Sequence, residues 1–283
     1  MTLLMTLSDI HQMNNKWKKL ITACKLEKPD IIAIAGDLFP KDKGIQDHFN
    51  FMHHIKKYAK QIKDLNIELV LMLGNDDNQN LIPLFQELDK EGLFHFVHDS
   101  IKIVKGYEFV GMPWVKDYPF TYKFWIKIDV SENPGISSQQ FGKPIILDDN
   151  NKWEEIEGKY LHYLLEKGSI EQSLSDLVSQ VKDMNKSIWL IHGPPAYMKL
   201  DVCGHGEEVG SIAVTNFLEN NEPMLTIHGH IHESPEVTGI WKKQVGNTTV
   251  IQNGQLHLDL YYSMVKIEDN KITEMKHSIY GNE

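Results

Sequence analysis

Residues 29–37, Pro-Asp-Ile-Ile-Ala-Ile-Ala-Gly-Asp, decide the fold. Ile31 to Ala35 is a short, wholly apolar run, which reads as a buried strand ending at Gly36-Asp37. Working outward, Trp17, Leu20, Ile21 and Cys24 recur at helical spacing until Pro29 closes that helix, and Leu3 to Leu7 reads as a strand before it. On the other side, Phe49, Met52, Ile55, Tyr58, Ala59 and Ile62 mark a longer helix. Ile67 to Leu73 is then a third strand, ending at Gly74-Asn75-Asp76-Asp77. Strand, helix, strand, helix, strand predicts a largely parallel sheet covered by helices.

The rest of the chain is more varied. A short helix enters through Pro83, and Phe94–Val97, Ile101–Val104 and Tyr107–Met112 are closely spaced strands with Gly106 at a turn. From Pro113 to about Trp153 the sequence is rich in aromatics, Gly, Pro, Asn and Asp without a clear period, as expected of a surface excursion or a functional lid. Residues 155–184 read as one or two helices broken at Gly168. Ser187–Ile191 is a strand ending at His192-Gly193-Pro194-Pro195, and Ser211–Leu218 is helical. Met224–Ile227 is a strand running into His228-Gly229-His230-Ile231-His232. Thr248–Gln252, Leu256–Ile267 and Ile272–His277 alternate, so the tail reads as antiparallel β. No internal repeat or low-complexity tract interrupts the 283 residues, which are expected to form one domain, 1–283.

Composition sets limits on function. The chain is 41% hydrophobic and 24% charged, which supports a packed core. A net charge of −10 argues against a broadly basic nucleic-acid-binding protein. All 29 basic residues are lysine, so no guanidinium fork is available for a phosphate, although lysine-favouring codon usage also accounts for this. Cys24 and Cys203 make neither a disulfide framework nor a zinc knuckle and fit a reducing compartment. Met1–Leu7 is too short and lacks the basic flank of an export signal, and no run approaches a membrane span; a cytoplasmic location without membrane attachment is expected.

Five polar clusters each follow an apolar strand: Asp9-x-His11, Gly36-Asp37, Gly74-Asn75-Asp76-Asp77, His192-Gly193-Pro194-Pro195 and Gly229-His230-x-His232. Ligands of open α/β sheets bind beyond the carboxyl ends of the strands, so five such ends could converge. Carboxylate, imidazole and amide oxygen together suit divalent transition metals. Asp9 and His11, and likewise His230 and His232, would point the same way on an extended backbone. Each cluster alone is a weak signal, since Gly-Asp is usually a turn and Asp-x-His usually a surface loop. The five in this order are not.

That order resembles the calcineurin-like metallophosphoesterase superfamily, over nearly the whole chain. The C-terminal third looks closest to predicted phosphoesterases resembling cyclic-nucleotide phosphodiesterases, through His192-Gly193-Pro194-Pro195, Asp201, Val209-Gly210-Ser211, His228 to Glu233 and Gly246-Asn247-Thr248. The resemblance implies a four-layer α/β/β/α sandwich of two mixed β-sheets flanked by helices. It implies two divalent metal ions (Mn, Fe or Zn, with Mn favoured). Asp9, His11, Asp37 and His232 would hold one, and Asp37, Asn75, His192 and His230 the other, with Asp37 bridging. Asp37, Asn75 and Asp76 are the implied catalytic positions, and a metal-bridging hydroxide would attack phosphorus in a small phosphate mono- or diester. One position departs from the best-known branches, which carry a histidine after the motif asparagine. Here it is Asp76, whose ordinary pKa of ~3.9 makes it a poor proton donor at neutral pH unless burial or a neighbouring carboxylate such as Asp77 raises it. Good leaving groups such as aryl phosphates should therefore be cleaved far better than alkyl ones.

Other residues invite two readings. His228 could support a metal ligand or serve as a structural histidine, and His205 could touch substrate or simply be solvated. His53 and His54 lie mid-helix without a role, and Cys203 has no dyad partner near it. Lys41 and Lys43 could approach a phosphate or remain solvated. Trp114, Tyr118, Phe120, Tyr122, Phe124 and Trp125 could stack a base, shape a pocket, or pack as core or lid. Two functional alternatives stand beside the phosphoesterase reading. One is a nuclease of the same superfamily, which the charge, the missing arginine and Asp76 weigh against. The other is a non-catalytic scaffold, which the full set of ligand-capable positions weighs against. Oligomeric state is not legible.

Overall fold

The computed structural model describes residues 1–12, 14–40, 44–137 and 141–281. The chain opens with β1 (Thr2–Leu7), α1 (Asn14–Glu27), β2 (Ile31–Ala35), α2 (His48–Asp64), β3 (Glu68–Met72), α3 (Ile82–Lys90) and β4 (His95–Phe96). A hairpin of β5 (Ser100–Val104) and β6 (Tyr107–Met112) follows, then a small hairpin of β7 (Ile145–Leu147) and β8 (Trp153–Glu155). Next come α4 (Tyr160–Glu166), α5 (Ile170–Val178), β9 (Ser187–Ile191), α6 (Ile212–Asn221), β10 (Leu225–His228) and α7 (Ser234–Thr238). The final strands are β11 (Lys242–Val245), β12 (Thr248–Gln252), β13 (Ser263–Glu268) and β14 (Lys271–His277).

These strands build two mixed six-stranded sheets, ordered β14-β13-β1-β2-β3-β4 and β11-β12-β10-β9-β6-β5. The central strands β1, β2 and β3 run parallel, as do β6, β9, β10 and β12. Alternation along each strand explains the layering, because successive side chains leave opposite faces of a sheet. In β2, Ile31, Ala33 and Ala35 face the other sheet, while Ile32 and Ile34 face the helices. In β9, Ile188 and Leu190 join the core between the sheets, and Trp189 and Ile191 pack under α6. Helices α1 to α3 cover the first sheet with Trp17, Phe51, Ile55 and Phe85. Helices α5 and α6 cover the second with Leu174, Val214 and Phe217. Continuous apolar strands are what burial on both faces demands. The four-layer sandwich of two mixed sheets expected from the sequence is the observed architecture.

Two sequence expectations, both in the tail, are corrected. The tail is not uniformly antiparallel: β12 lies parallel to β10, and β11 forms an unforeseen antiparallel edge beside it. Leu256 to Tyr262 is not strand, and pairing starts at Ser263. The break expected at Gly168 is present: two helices, α4 and α5, flank that residue, which has φ +73°.

The 113–153 excursion has specific anchors. Lys123 Nζ donates to Asp117 Oδ1 at 2.7 Å and to the Tyr118 carbonyl at 2.6 Å, with both charged side chains fully buried. Farther along, Asp129 accepts from the Ser211 hydroxyl and from the Ile212 and Ala213 amides, capping α6 from a distance of over eighty residues.

Candidate metal centre

Parallel strands put their carboxyl ends side by side. Asp9 and His11 follow β1, Asp37 follows β2, and Asn75 and Asp76 follow β3. His192 follows β9, and His230 and His232 follow β10 in the facing sheet. All seven expected ligand residues therefore meet at one edge of the sandwich. One ligand atom each from Asp9, His11, Asp37 and His232 lie within 4.8 Å of one another. Asn75 Oδ1 lies 2.8 Å from His192 Nε2 and 2.5 Å from His230 Nδ1, and Asp37 Oδ2 is 3.4 Å from His192 Nε2. Asp37 thus belongs to both groups.

The convergence does not come from extended backbone. Asp9, Asp37 and His230 have φ of 54°, 57° and 69°. These left-handed turns cost of order 1–3 kcal/mol each and concentrate at functional sites. Ile10–Gln12 is a 3-10 turn, so the extended geometry expected for Asp9 and His11 is replaced by a tight turn that brings both inward. Two glycines are required by contact. A Cβ on Gly74 would sit 2.3 Å from Asp37 Oδ1, and one on Gly229 would sit 2.5 Å from Asp9 Oδ2.

Donor chemistry fits a cation. His192 Nδ1 lies 2.7 Å from the Ala35 carbonyl, which can only accept, so Nδ1 carries a proton. Nε2 of the neutral ring is then a lone pair, yet it faces the oxygens of Asn75 and Asp37. A proton or a metal ion must stand between them. In the metal-free protein burial opposes the extra proton, but the Asp37 carboxylate outweighs it and pushes His192 up to about 10. Burial and the neighbouring His192 charge instead push His230 down to about 3, and its Nε2 is buried without a hydrogen-bond partner. Burial also opposes ionisation of Asp9, but His232, 3.2 Å away, holds its carboxyl below the usual range. His11 Nε2 and His232 Nε2 are 3.1 Å apart, an arrangement two imidazoles adopt around a shared proton or a cation.

Asp76 lies beside this cluster. Its Oδ2 is 3.4 Å from His11 Nδ1, its amide donates to Asp37 Oδ1 at 2.9 Å, and Asn75 Nδ2 donates to its Oδ1 at 3.0 Å. A cavity of 660 Å³ opens over Asp37, Asn75, Asp76, His230 and His232.

The remaining candidates separate by position. His228 is buried, with Nδ1 3.0 Å from the Gly193 carbonyl and Nε2 2.9 Å from the Thr226 hydroxyl, so it fixes the β9 turn rather than reaching the cluster. His205 is exposed near Glu207, and His53 contacts the Asn50 carbonyl on the surface of α2. Cys203 lines the cavity, but burial pushes its thiol up to about 11, which leaves little thiolate. Lys41 and Lys43 lie outside the described residues. The aromatic run divides: Trp125 and Phe124 are core, Phe120 and Tyr122 line the cavity, and Tyr118 packs on the His230 ring at 4.3 Å.

Sequence reasoning missed Asp77 as a brace. Its buried carboxylate accepts from the Leu38, Phe39 and Gly74 amides, tying the loop of Asp37 to the loop of Asn75. Burial and the nearby Asp37 charge raise its pKa, against the pull of those three amides. The consecutive acids at a strand end were the available signal.

A family model described as calcineurin-like phosphoesterase matches residues 3–234. Among solved structures, a dimetal phosphatase from Danio rerio is similar with a TM-score of 0.56 at 9% identity, covering 99% of this chain and 96% of that one. The protein TT1561 of Thermus thermophilus is similar with a TM-score of 0.53 at 15% identity, covering 96% of this chain and 97% of that one. At these identities the likeness is one of fold. No curated protein matches significantly.

Proposed function

The chain belongs to the calcineurin-like phosphoesterase family, and we propose that it is a hydrolase of small phosphate mono- or diesters that works with two divalent ions, manganese favoured. The observation that carries this reading is the meeting of seven ligand-capable side chains from the ends of five parallel strands in two sheets. Asp9, His11, Asp37 and His232 would hold one ion, and Asp37, Asn75, His192 and His230 the other. When bound, the ions supply Lewis acidity and lower the pKa of bound water toward neutrality.

The protein's own groups do the positioning. Asp37 is shared by both ligand sets, so its carboxylate fixes the spacing between them. The His192 Nδ1 proton is held by the Ala35 carbonyl, which commits Nε2 to the site. Asn75 directs its amide hydrogens to Asp76 and its oxygen inward, which fixes the amide orientation. Asp76, beside His11 and Asp37, takes the position that carries a histidine in the best-known branches of the superfamily, and would be the group closest to a departing ester oxygen. An aspartate with its ordinary pKa of ~3.9 is a poor donor at neutral pH, so the leaving group would depart largely unassisted.

The test is hydrolysis of p-nitrophenyl phosphate and bis-p-nitrophenyl phosphate by metal-stripped protein with Mn²⁺ restored, beside an Asp37→Asn variant. Turnover that requires metal and is lost in the variant is expected, and the ratio of the two rates sorts monoesterase from diesterase. Absence of both turnover and bound metal would move the assignment to a scaffold.

A further inference from the structure

The cavity over the cluster is far larger than a phosphoryl group needs. Its 660 Å³ is the size of a small-molecule pocket, ~300–1,000 Å³. Its floor is the cluster of Asp37, Asn75, His230 and His232, and large apolar side chains make much of the rest. Its walls are Phe39, Ile45 and Ile231 from the two sheet edges and Phe120, Tyr122, Phe141 and Ile145 from the excursion.

Three of these excursion side chains remain open to solvent at the rim. Phe120 is 43% exposed, Tyr122 39% and Phe141 75%, and Trp153, 40% exposed, stacks on Tyr122 at 5.2 Å. Soluble surfaces rarely gather large apolar side chains this way without an occupant. Asp76 and Glu233 also line the cavity, so a second anionic group on the ligand would meet like charges.

We propose that this site takes phosphate esters whose ester group is apolar, aryl or long-chain alkyl, with no further negative charge. The phosphoryl group would sit over the cluster while the ester group lies against Phe120, Tyr122, Phe141 and Ile145. This proposal rests on the phosphoesterase reading above and adds to it the class of substrate. It concerns recognition, and is separate from the leaving-group preference that Asp76 imposes.

Phosphonates isolate recognition from turnover, because their carbon–phosphorus bond is not an ester. Calorimetric titration of the Mn²⁺-loaded protein with methyl-, phenyl- and octylphosphonate reads the preference directly. Burial of only a few methylenes predicts that phenyl- or octylphosphonate binds at least ~30-fold tighter than methylphosphonate, the equivalent of ~2 kcal/mol. Phenyl above octyl assigns an aryl group, and octyl above phenyl a lipid-like chain. Ile145→Ala and Phe141→Ala should each compress that ratio by ~3–10-fold; Phe141 is largely exposed, so its variant tests the wall with little risk to folding. Equal affinity for all three phosphonates, in protein that still hydrolyses bis-p-nitrophenyl phosphate, would overturn the substrate class and leave the phosphoesterase reading standing. Failure to bind any phosphonate, together with no hydrolysis despite bound Mn²⁺, would overturn both.

Discussion

Replacing Asp77 tests how the site is built. Its carboxylate is fully buried; Oδ1 accepts from Leu38 N at 2.9 Å and Phe39 N at 3.2 Å, and Oδ2 accepts from Leu38 N at 3.0 Å and Gly74 N at 2.8 Å. Alanine strands three backbone donors. A buried, unpaired donor costs ~1–3 kcal/mol, so Asp77→Ala should lose ~3–6 kcal/mol of stability after partial relaxation. Asparagine keeps one oxygen for Leu38 and Phe39 but turns an amide N–H₂ toward the Gly74 N–H. Only one donor is orphaned, and the expected loss is ~1–3 kcal/mol. Equilibrium urea unfolding of both variants in the presence of chelator reads these values without a metal contribution. Metal content of the refolded proteins reads the second consequence, since the loops of Asp37 and Asn75 lose their shared tie. Asp77→Ala within ~0.5 kcal/mol of the parent protein, the scatter of an ordinary surface substitution, would refute the bracing role.

The other expectations concern protons, charge and leaving groups. With His192 pushed up to about 10, metal uptake near pH 8 must displace its proton, so binding should release about one proton and weaken as pH falls; calorimetry in buffers of different ionisation enthalpy checks this, and buffer-independent heats would contradict it. By the same linkage, His192 protonation stabilises the metal-free protein fully below its ordinary pKa of ~6.5, and that contribution disappears as pH rises through about 10. Lys123→Met removes the counter-ion of the buried Asp117 carboxylate, which keeps the Ser137 amide, and should cost ~3–5 kcal/mol by urea unfolding, with much of it recovered in the double variant carrying Asp117→Asn. Asp76→His should raise turnover of alkyl esters by ~10²-fold while moving aryl esters little, and a uniform change across leaving groups would show that proton donation does not limit the reaction.

Much of the architecture was legible because buried parallel strands leave a strong local record. Ile31–Ala35 and Ser187–Ile191 could face apolar layers on both sides only as central strands, and each delivers a polar cluster at its carboxyl end. What the sequence reading missed is decided far away, namely the presence of one edge strand and the direction in which another, expected strand pairs. Lys242–Val245 is a charged edge with no alternation to betray it, and Thr248–Gln252 gives no local hint that its neighbour β10 runs parallel. The residue types of the centre were visible, but not their conformations. Positive φ at Asp9, Asp37 and His230 is imposed by surrounding contacts, such as Asp9 N to the Gly36 carbonyl and His230 N to the Asp9 carboxylate. Asp77 and Asp129 act through backbone amides in other segments, which sequence spacing does not encode.

The two sheets each supply part of the donor set, and Asp9 and His230 are 221 positions apart in the chain. A cation gripped from both sides would act as a cross-link between the sheets, closing a loop that takes in most of the chain at the edge where their seam opens to solvent. Its hold on the fold would then follow free metal concentration, reaching ~2.7 kcal/mol at a hundred times the dissociation constant. Amide exchange near Leu38 and Ile231 should slow with metal well before global unfolding is affected. Loss of a ligand would thus lower the amount of folded protein as well as its activity, and in a cell the two defects would be inherited together.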